Sequence, residues 1–256
     1  MGKFKDKKVL ITGASKGLGY VSAKAFAGHG ARLVITGRSA ELLEELKCSL
    51  PNPDHHMSFV GDLTQPDQIA QLVELGENFL GGIDIIIHCA GGGLGLKDPL
   101  LSLEDFNQLF QLNVGIALGI NRLTIPKMIK KGTGNIVHVC SIAATEATGS
   151  VGYNISKSAL SAYVRSLGRE IADTGVIVTG ILPGAFLAPL NAFVRLRDRN
   201  PEAYDRFIQE KLPRGRIGEA SEIVPLLLFL SSESASMMSG CCVPIDAGEG
   251  VSFLVQ

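Results

Sequence analysis

Two residues with acid–base potential, Tyr153 and Lys157, lie four positions apart in the segment GYNISKSAL. Leu160 and Val164 continue this spacing, so in a helix all four side chains share one face. Free tyrosine ionises only at about pH 10, and an ammonium one turn away favours the phenolate form. The spacing therefore indicates a proton-transfer site. A packed tyrosine beside a lysine that extends to solvent produces the same pattern, so both interpretations stay open.

Two further polar residues fall in otherwise apolar patterns. Ser141 directly follows the apolar run NIVHVC, at the predicted carboxyl end of a strand, where open α/β sheets bind their ligands. Asn113 interrupts the core-facing positions of a helix expected near 103–130. A buried amide must find hydrogen-bond partners, so Asn113 either fixes this helix or passes protons through water to Lys157.

A glycine-rich loop, GASKGLG at 13–19, separates the first apolar strand from the amphipathic run YVSAKAFAGHG. Glycines allow the backbone to approach a phosphate closely. A helix that begins at this turn offers unpaired N–H groups and the positive end of its dipole to an anion. The position of the loop between strand and helix predicts a dinucleotide-binding site, although its spacing is GxxxGxG rather than GxGxxG.

The end of the second strand indicates which dinucleotide is bound. A carboxylate about 20 residues beyond the glycine loop usually holds the ribose 2′-hydroxyl of NAD. The corresponding segment here is Thr36-Gly37-Arg38-Ser39, which has no carboxylate. Arg38 can instead bind a 2′-phosphate, with Lys16 as a second positive charge. We therefore expect NADP(H) to be preferred, with NAD(H) possible; the alternative is that both are solvated surface charges.

Strand and helix patterns alternate along the chain. Seven apolar or β-branched runs predict strands, at 7–12, 32–37, 57–61, 83–89, 134–140, 176–182 and 241–246. Helical patterns lie between them, near 17–29, 39–49, 66–79, 103–130, 152–173 and 219–231. Such alternation predicts an α/β fold with a doubly wound, parallel, seven-stranded sheet and helices on both faces.

One segment breaks this rhythm, an arginine-rich helical stretch at about 186–216. We expect residues 1–256 to form a single domain that carries this insertion as a lid. Seven basic and four acidic residues occur between 188 and 216. This excess of positive charge either attracts an anionic substrate or lies on the solvent-exposed face of an amphipathic helix.

Composition argues against several classes of function. The chain has 24 Lys+Arg and 25 Asp+Glu, a balance unlike that of nucleic-acid-binding proteins. The longest apolar run, Ile223–Leu230, is far shorter than the roughly 20 residues that span a bilayer. Five cysteines show no paired ligand spacing, and Cys89, Cys140 and Cys241 lie in strand-like runs, so we expect packed thiols and no metal. These features predict a soluble, cytoplasmic protein.

The combined motifs resemble those of the short-chain dehydrogenase/reductase family over nearly the whole chain. The resemblance rests on TGASKGLG (12–19), Asp62 in GDLT, CAGG (89–92), LNV (112–114), Ser141, the Tyr153/Lys157 pair, Pro183-Gly184 and GCCVPIDAG (240–248). It implies a Rossmann-type fold and hydride transfer between a nicotinamide and a carbonyl or secondary alcohol.

The resemblance also implies a role for each of four catalytic residues. Tyr153 would be the acid–base. Lys157 would favour its ionisation and bind the nicotinamide-ribose hydroxyls. Ser141 would hydrogen-bond the substrate oxygen, and Asn113 would order a proton-relay water.

The implied cofactor site combines the glycine loop with the ends of later strands. Asp62 would meet the adenine. The full set is Gly13, Ser15, Lys16, Gly17, Leu18, Gly19, Arg38, Asp62, Leu63, Ala90, Gly91, Tyr153, Lys157, Pro183, Gly184 and Phe186. The chain departs from the family at His88-Cys89, where Asn-Asn is common, at Ala188, where threonine is common, and at Ala247, where glycine is common.

Three functions remain open. The first is an NADP-dependent carbonyl reductase, with 3-oxoacyl reduction as one substrate class. The second is an NAD(P)-dependent dehydrogenase of a sugar or polyol alcohol, which uses the same residues in reverse. The third is a non-catalytic dinucleotide-sensing protein. Substrate choice is expected to lie in 92–96, 142–150 and 186–216. The family resemblance implies a homodimer or homotetramer packed through 103–130, 152–173 and the segment 240–256.

Overall fold

The computed structural model describes residues 3–252. Its strands are β1 (Lys8–Thr12), β2 (Arg32–Gly37), β3 (His56–Val60), β4 (Ile85–His88), β5 (Gly134–Val139), β6 (Val176–Pro183), β7 (Phe186–Leu187), β8 (Gly218–Glu219) and β9 (Cys242–Ile245). Within the described range, seven of them pair in parallel in the order β3-β2-β1-β4-β5-β6-β9, and β7 pairs with β8. The seven predicted strands all occur, and their ends differ from the prediction by at most two residues.

Helices cover both faces of this sheet. They are α1 (Gly17–Gly28), α2 (Ala40–Ser49), α3 (Pro66–Leu80), α4 (Leu103–Phe110), α5 (Ile116–Lys131), α6 (Val151–Glu170), α7 (Ala192–Arg199), α8 (Pro201–Lys211) and α9 (Ala220–Leu230). Helices α1, α2 and α9 share one apolar cluster with the sheet, and α3, α5 and α6 share the other. The predicted doubly wound α/β fold is confirmed.

Strand β1 shows why these runs are apolar without alternation. Val9 and Ile11 pack into the first cluster, whereas Leu10, between them, packs into the second. Successive side chains of a strand point to opposite faces, so a sheet covered on both sides needs apolar residues at every position. No helix between residues 3 and 252 is both long and apolar enough to cross a lipid bilayer.

The helix predicted at 103–130 is divided by a π-helical turn at Gln111–Gly115, between α4 and α5. The side-chain amide of Asn113 donates a hydrogen bond to the Leu109 carbonyl at 2.9 Å. In a regular α-helix that carbonyl accepts the main-chain N–H of residue 113, so the side chain competes with the helical pattern. Single π turns of this kind are frequent at functional sites.

The cysteine prediction was wrong at one position. Cys241 is exposed, and its neighbour Cys242 is the one that packs against the sheet. Cys241 directly precedes β9, which begins at Cys242. Because successive side chains of an extended segment point to opposite sides, only one of the two neighbouring thiols can pack against the sheet.

A buried polar cluster joins β4 and β5 to α5 and α6. His88 and His138 pair in register, and their rings stack with centroids 4.5 Å apart. The Nε2 atom of His88 lies 2.9 Å from Oδ1 of Asn121, whose amide donates to the Tyr163 hydroxyl at 3.1 Å. Burial lowers the pKa of His88 to about 4 and that of His138 well below its usual range. Both imidazoles are therefore neutral at physiological pH.

These neutral imidazoles make the free energy of unfolding depend on pH. The unfolded chain binds protons on histidine as the pH falls through about 6.5, whereas the native state cannot until the pH approaches 4. The contribution of these histidines to the free energy of unfolding is therefore fully present above the unfolded pKa and decreases as the pH falls below it. His88 alone is expected to remove about 2 kcal/mol between pH 7 and pH 5.

The measurement is urea denaturation at a series of pH values for the wild type, His88→Asn and His55→Gln. His55 is exposed and serves as the control. His88→Asn should show a shallower loss of stability between pH 6.5 and pH 5, and His55→Gln should follow the wild type. Equal pH dependence in all three proteins would show that His88 is not held neutral.

Candidate active site at the carboxyl ends of the strands

The glycine loop packs directly against the end of β4. A Cβ atom on Gly13 would lie 2.9 Å from the backbone nitrogen of Ala90, and one on Gly19 would lie 2.4 Å from the Gly13 carbonyl oxygen. Any larger residue at either place would force the backbone apart. The buried Thr12 hydroxyl accepts hydrogen bonds from the backbone nitrogens of Cys89 and Ala90, both at 3.1 Å. Thr12 thus fixes the two loops together.

The first turn of α1 is open to an anion. Lys16 stands at its N-cap without a side-chain hydrogen bond, and the turn contains no acidic residue. The Gly17 nitrogen donates to the Pro189 carbonyl at 2.8 Å, which brings the insertion onto this loop. Partial burial, followed by the positive charges of Arg195 and Arg38, lowers the pKa of Lys16. Lys16 and Arg38 also follow segments that are in contact, because Ser15 lies against Gly37.

Three further predicted residues lie near the ends of β2 and β3: Ser15 of the glycine loop, and Asp62 and Leu63 after β3. Ser15 approaches Gly37, where an added Cβ would lie 3.0 Å from the serine Oγ. Leu63 is buried. Asp62 is exposed, and its Oδ1 accepts hydrogen bonds from the backbone and hydroxyl of Thr64 at 3.1 and 2.9 Å. These contacts fix the Asp62 carboxylate at the edge of the crevice.

Lys157 is buried beneath the ring of Tyr153. Only 3% of Lys157 is exposed, and its Nζ donates to the Val139 carbonyl at 2.8 Å. The same Nζ lies 5.7 Å from the centroid of the Tyr153 ring. The alternative in which this lysine extends to solvent is therefore wrong. An ammonium in such a place has two further N–H donors that must be satisfied locally.

Asn113 joins the loop after β4 to the π turn. Its amide nitrogen donates to the carbonyls of Gly92 and Leu109, and its oxygen accepts from the Gly92 nitrogen at 3.0 Å. A Cβ on Gly91 would lie 2.8 Å from this oxygen and 3.3 Å from Nζ of Lys157. These contacts support the fixing role among the two alternatives for Asn113, and they bring Asn113 and Lys157 to the same glycine.

Ser141 continues from the end of β5. Its half-buried side chain accepts a hydrogen bond from the Ala143 nitrogen at 3.1 Å and caps the short 3₁₀ turn Ile142–Ala144. The hydroxyl keeps its proton free to donate. The carbonyl of Val139, two residues earlier, holds Lys157. One strand end therefore positions both the serine hydroxyl and the lysine ammonium.

The end of β6 is crowded by the segment after β9. Gly184, which follows Pro183, donates to the Ile245 carbonyl at 3.3 Å, and a Cβ there would lie 2.4 Å from Oε2 of Glu249. Phe186 then begins β7. Burial raises the pKa of Glu249, whose carboxylate accepts from the Ala185 nitrogen. This segment thus requires glycine at 184 and fixes the chain that leads into the insertion.

The departures from the family pattern have local consequences. Burial raises the pKa of Cys89 to about 12, so this thiol is not a nucleophile near neutral pH. Ala247 has a left-handed φ of 56°, a conformation that favours glycine. Ala188 is buried and offers no hydroxyl. None of these three residues alters the contacts of Asn113, Ser141, Tyr153 or Lys157 described above.

Sequence reasoning missed two residues of the site. Thr12 is part of the TGASKGLG motif but was not predicted to be a site residue. A threonine at the end of an otherwise apolar strand indicates that its hydroxyl makes a specific hydrogen bond. Val139 acts only through its backbone carbonyl, which no side-chain pattern reveals.

Comparison with known proteins identifies the family. The profile of the family described as short chain dehydrogenase matches residues 7–199. Glucose 1-dehydrogenase of Gluconobacter oxydans is 31% identical over 250 residues, which cover 96% of this chain and 92% of that protein.

Two solved structures show the same fold over nearly the whole chain. L-sorbose reductase from Gluconobacter frateurii, complexed with NADPH and L-sorbose, has a TM-score of 0.89 and 27% identity, with 98% of each chain covered. A 7α-hydroxysteroid dehydrogenase complexed with NADH has a TM-score of 0.87 and 28% identity, with 96% of this chain and 94% of that chain covered. The chain therefore belongs to the short chain dehydrogenase family and is an oxidoreductase that acts on the CH–OH or C=O group of a small molecule.

Proposed function

We propose that the protein is an NADP(H)-preferring carbonyl reductase whose acid–base residue is Tyr153. The observation that carries this proposal is the ammonium of Lys157, which is buried, anchored to the Val139 carbonyl and placed beneath the Tyr153 ring. A buried lysine is unfavourable unless it has a local task. Reduction of 3-oxoacyl compounds is one substrate class for such a site.

The described residues fit a dinucleotide. The crowded glycines at 13 and 19 leave the backbone bare at the carboxyl end of β1, and the first turn of α1 has no side-chain cap that competes with a phosphate. Lys16 and Arg38 supply positive charge beside it. We assign the rest of the cradle to Gly13, Ser15, Gly17, Leu18, Gly19, Asp62, Leu63, Ala90, Gly91, Pro183, Gly184 and Phe186.

The chemistry that NADP(H) supplies when bound is delivery or removal of a hydride at the substrate carbon. In reduction, Tyr153 donates its hydroxyl proton to the substrate oxygen, and in oxidation it takes the proton back. Ser141 donates a hydrogen bond to the same oxygen. Lys157 assists proton transfer at the Tyr153 oxygen, and its remaining N–H donors would bind the nicotinamide ribose. Asn113 holds the Gly92 loop in place beside Lys157.

A second candidate is oxidation of a sugar or polyol alcohol. The name of one relative, glucose 1-dehydrogenase at 31% identity, favours it, and L-sorbose reductase at 27% identity is also named for a sugar substrate, although for its reduction. The same four residues serve both directions, because a catalyst accelerates a reaction and its reverse alike. A panel of ketones, acyl thioesters and sugar alcohols distinguishes the two candidates.

The insertion at 186–216 is proposed to be a lid on a single-domain chain. Helices α7 and α8 bury no residue completely, and they pack against each other through Phe193 and Phe207, whose ring centroids are 5.2 Å apart. Few contacts therefore oppose movement of this helical pair. Such loosely packed elements are the ones that open and close over substrates.

Assembly as a homodimer or homotetramer is also proposed. Helices α5 and α6 each expose apolar side chains, Leu118 and Leu123 on the former and Val151 and Ile155 on the latter. Apolar residues grouped on exposed helices are typical of subunit contacts. The end of the tail expected to join them, residues 253–256, lies outside the described residues.

A cytoplasmic location is proposed from the cysteine content. The thiols of Cys89 and Cys140 are free and packed among apolar residues. Disulfides are typical of oxidising compartments, and reduced thiols of the cytosol.

Replacing the proposed acid–base residue tests catalysis. Tyr153→Phe should lower kcat at least about a hundredfold, the usual contribution of a positioned acid or base, with NADPH affinity changed less than about twofold. Absorbance of NADPH gives the rate, and fluorescence quenching gives the affinity. Tyr163→Phe, which removes a hydroxyl from the same helix, is the control and should retain turnover. If the Tyr153→Phe enzyme turns over as fast as the wild type, Tyr153 is not the acid–base residue.

Replacing Arg38 tests the choice of cofactor. Arg38→Leu should weaken NADPH binding about tenfold or more, because a charge-assisted contact to the 2′-phosphate is lost. NADH binding should stay within about twofold, so NADH provides the internal control. Fluorescence titration measures both constants. Equal affinity of the wild type for the two cofactors, or tighter NADH binding, would contradict the NADP assignment.

A further inference from the structure

The basic residues of the insertion do not share one role. Arg197 pairs with Asp198 at 3.1 Å, and Arg214 and Arg216 pair with Glu222. These contacts neutralise part of the positive excess that the sequence shows. Arg195 belongs to none of these ion pairs, and it follows the segment that contacts the glycine loop through Pro189.

Arg195 is held close to two other cations. Its guanidinium donates to the carbonyl of Leu190, whose neighbour Pro189 accepts the nitrogen of Gly17, the residue after Lys16. On the other side of Lys16, Ser15 lies against Gly37, the residue before Arg38. The three side chains come from three separate segments: the loop after β1, the end of β2 and the first turns of α7. Folding, rather than local sequence, brings them together.

The start of α7 is fixed at this place by its backbone. The Pro189 carbonyl accepts the Gly17 nitrogen at 2.8 Å, which ties the insertion to the glycine loop. Asn191 caps α7 by accepting the Val194 nitrogen at 3.0 Å and also donates to the Phe186 carbonyl at 2.6 Å. Arg195 follows one turn later, so its position is set by these anchors and not by a free side chain alone.

The three cations have no counter-charge in the described part of the chain. None of the ion pairs among residues 3–252 includes Lys16, Arg38 or Arg195. Like charges held together repel one another, and an anion bound between them relieves that repulsion. The cluster also adjoins the first turn of α1, which has no side-chain cap and no acidic residue.

We propose that Arg195 is a third phosphate-binding residue, which completes with Lys16 and Arg38 a site for the 2′-phosphate of NADP(H). This inference rests on the NADP preference proposed above. A phosphate monoester carries a charge of about −1.5 to −2 at neutral pH, so three cations match it better than two. Because Arg195 belongs to α7, a residue of the lid takes part in binding the cofactor. Phosphate binding then stabilises the start of the lid against the glycine loop.

Calorimetric titration with 2′,5′-ADP and with 5′-ADP tests this assignment without any turnover. The variants are Arg195→Gln, which keeps an N–H donor for the Leu190 carbonyl but removes the charge, Arg195→Lys, which keeps the charge, and Arg38→Gln. Arg197→Gln is the matched control, since it removes the same charge from the same helix at a residue already paired with Asp198.

We expect Arg195→Gln to weaken 2′,5′-ADP binding about tenfold, the effect of one lost charge-assisted contact. Binding of 5′-ADP should change less than about twofold, Arg195→Lys should recover part of the loss, and Arg197→Gln should bind like the wild type. On addition of 2′,5′-ADP, hydrogen exchange of the segment 188–199 should slow in the wild type and not in Arg195→Gln.

Other outcomes would contradict either the NADP preference or the role of Arg195. If the wild type binds 2′,5′-ADP no tighter than 5′-ADP, the NADP preference itself fails. If that preference holds and Arg38→Gln weakens it while Arg195→Gln does not, only the role of Arg195 fails. Equal weakening of both nucleotides by Arg195→Gln would place this residue at the 5′-phosphates and would contradict a 2′-phosphate site.

Discussion

The candidate site is built around one ammonium group that has been removed from water. Lys157 is almost completely buried and donates to the Val139 carbonyl at 2.8 Å. Desolvation of a charged amine is costly, and a single carbonyl does not replace its hydration. The remaining donors need acceptors at the same place, and the Tyr153 side chain and a bound ribose are suited to supply them. A catalytic function explains a burial that packing alone would oppose.

The remaining architecture keeps the neighbours of this ammonium in place. Thr12 fixes the loop after β4 to the glycine loop, and Asn113 fixes the same loop to the π turn between α4 and α5. Gly91 lies between Asn113 and Lys157 with no room for a side chain. Backbone groups of neighbouring strand ends are thus held by a few buried side chains. This is the type of rigid support that an acid–base site requires.

Much of this arrangement could be predicted from local sequence. The apolar runs located all seven strands, because strands covered on both faces leave an uninterrupted pattern, and the four-residue spacing placed Tyr153 and Lys157 on one face of α6. The depth of Lys157 could not be predicted, because it depends on the end of β5 and on the ring above it. The exposure of Cys241 could not be predicted either, because the apolar run does not show which of the two neighbouring thiols faces the sheet.

Features that depend on contacts distant in sequence were not predictable. Asn121 brings together His88, His138 and Tyr163 from three other elements, and nothing in the order of these residues indicates a cluster. Arg195 was grouped by composition with the other arginines of the insertion, yet its guanidinium is held at Leu190, next to the Pro189 carbonyl that contacts the glycine loop. Spacing reveals periodic local structure, whereas polar residues that act across elements become apparent only in the folded chain.

The most direct test of the central interaction is the rate of alcohol oxidation by Lys157→Met at saturating NADP. If the buried ammonium assists Tyr153, this variant should be at least about a hundredfold slower than the wild type at pH 7. A Lys157→Met enzyme that folds, binds NADP and turns over at the rate of the wild type would contradict this role.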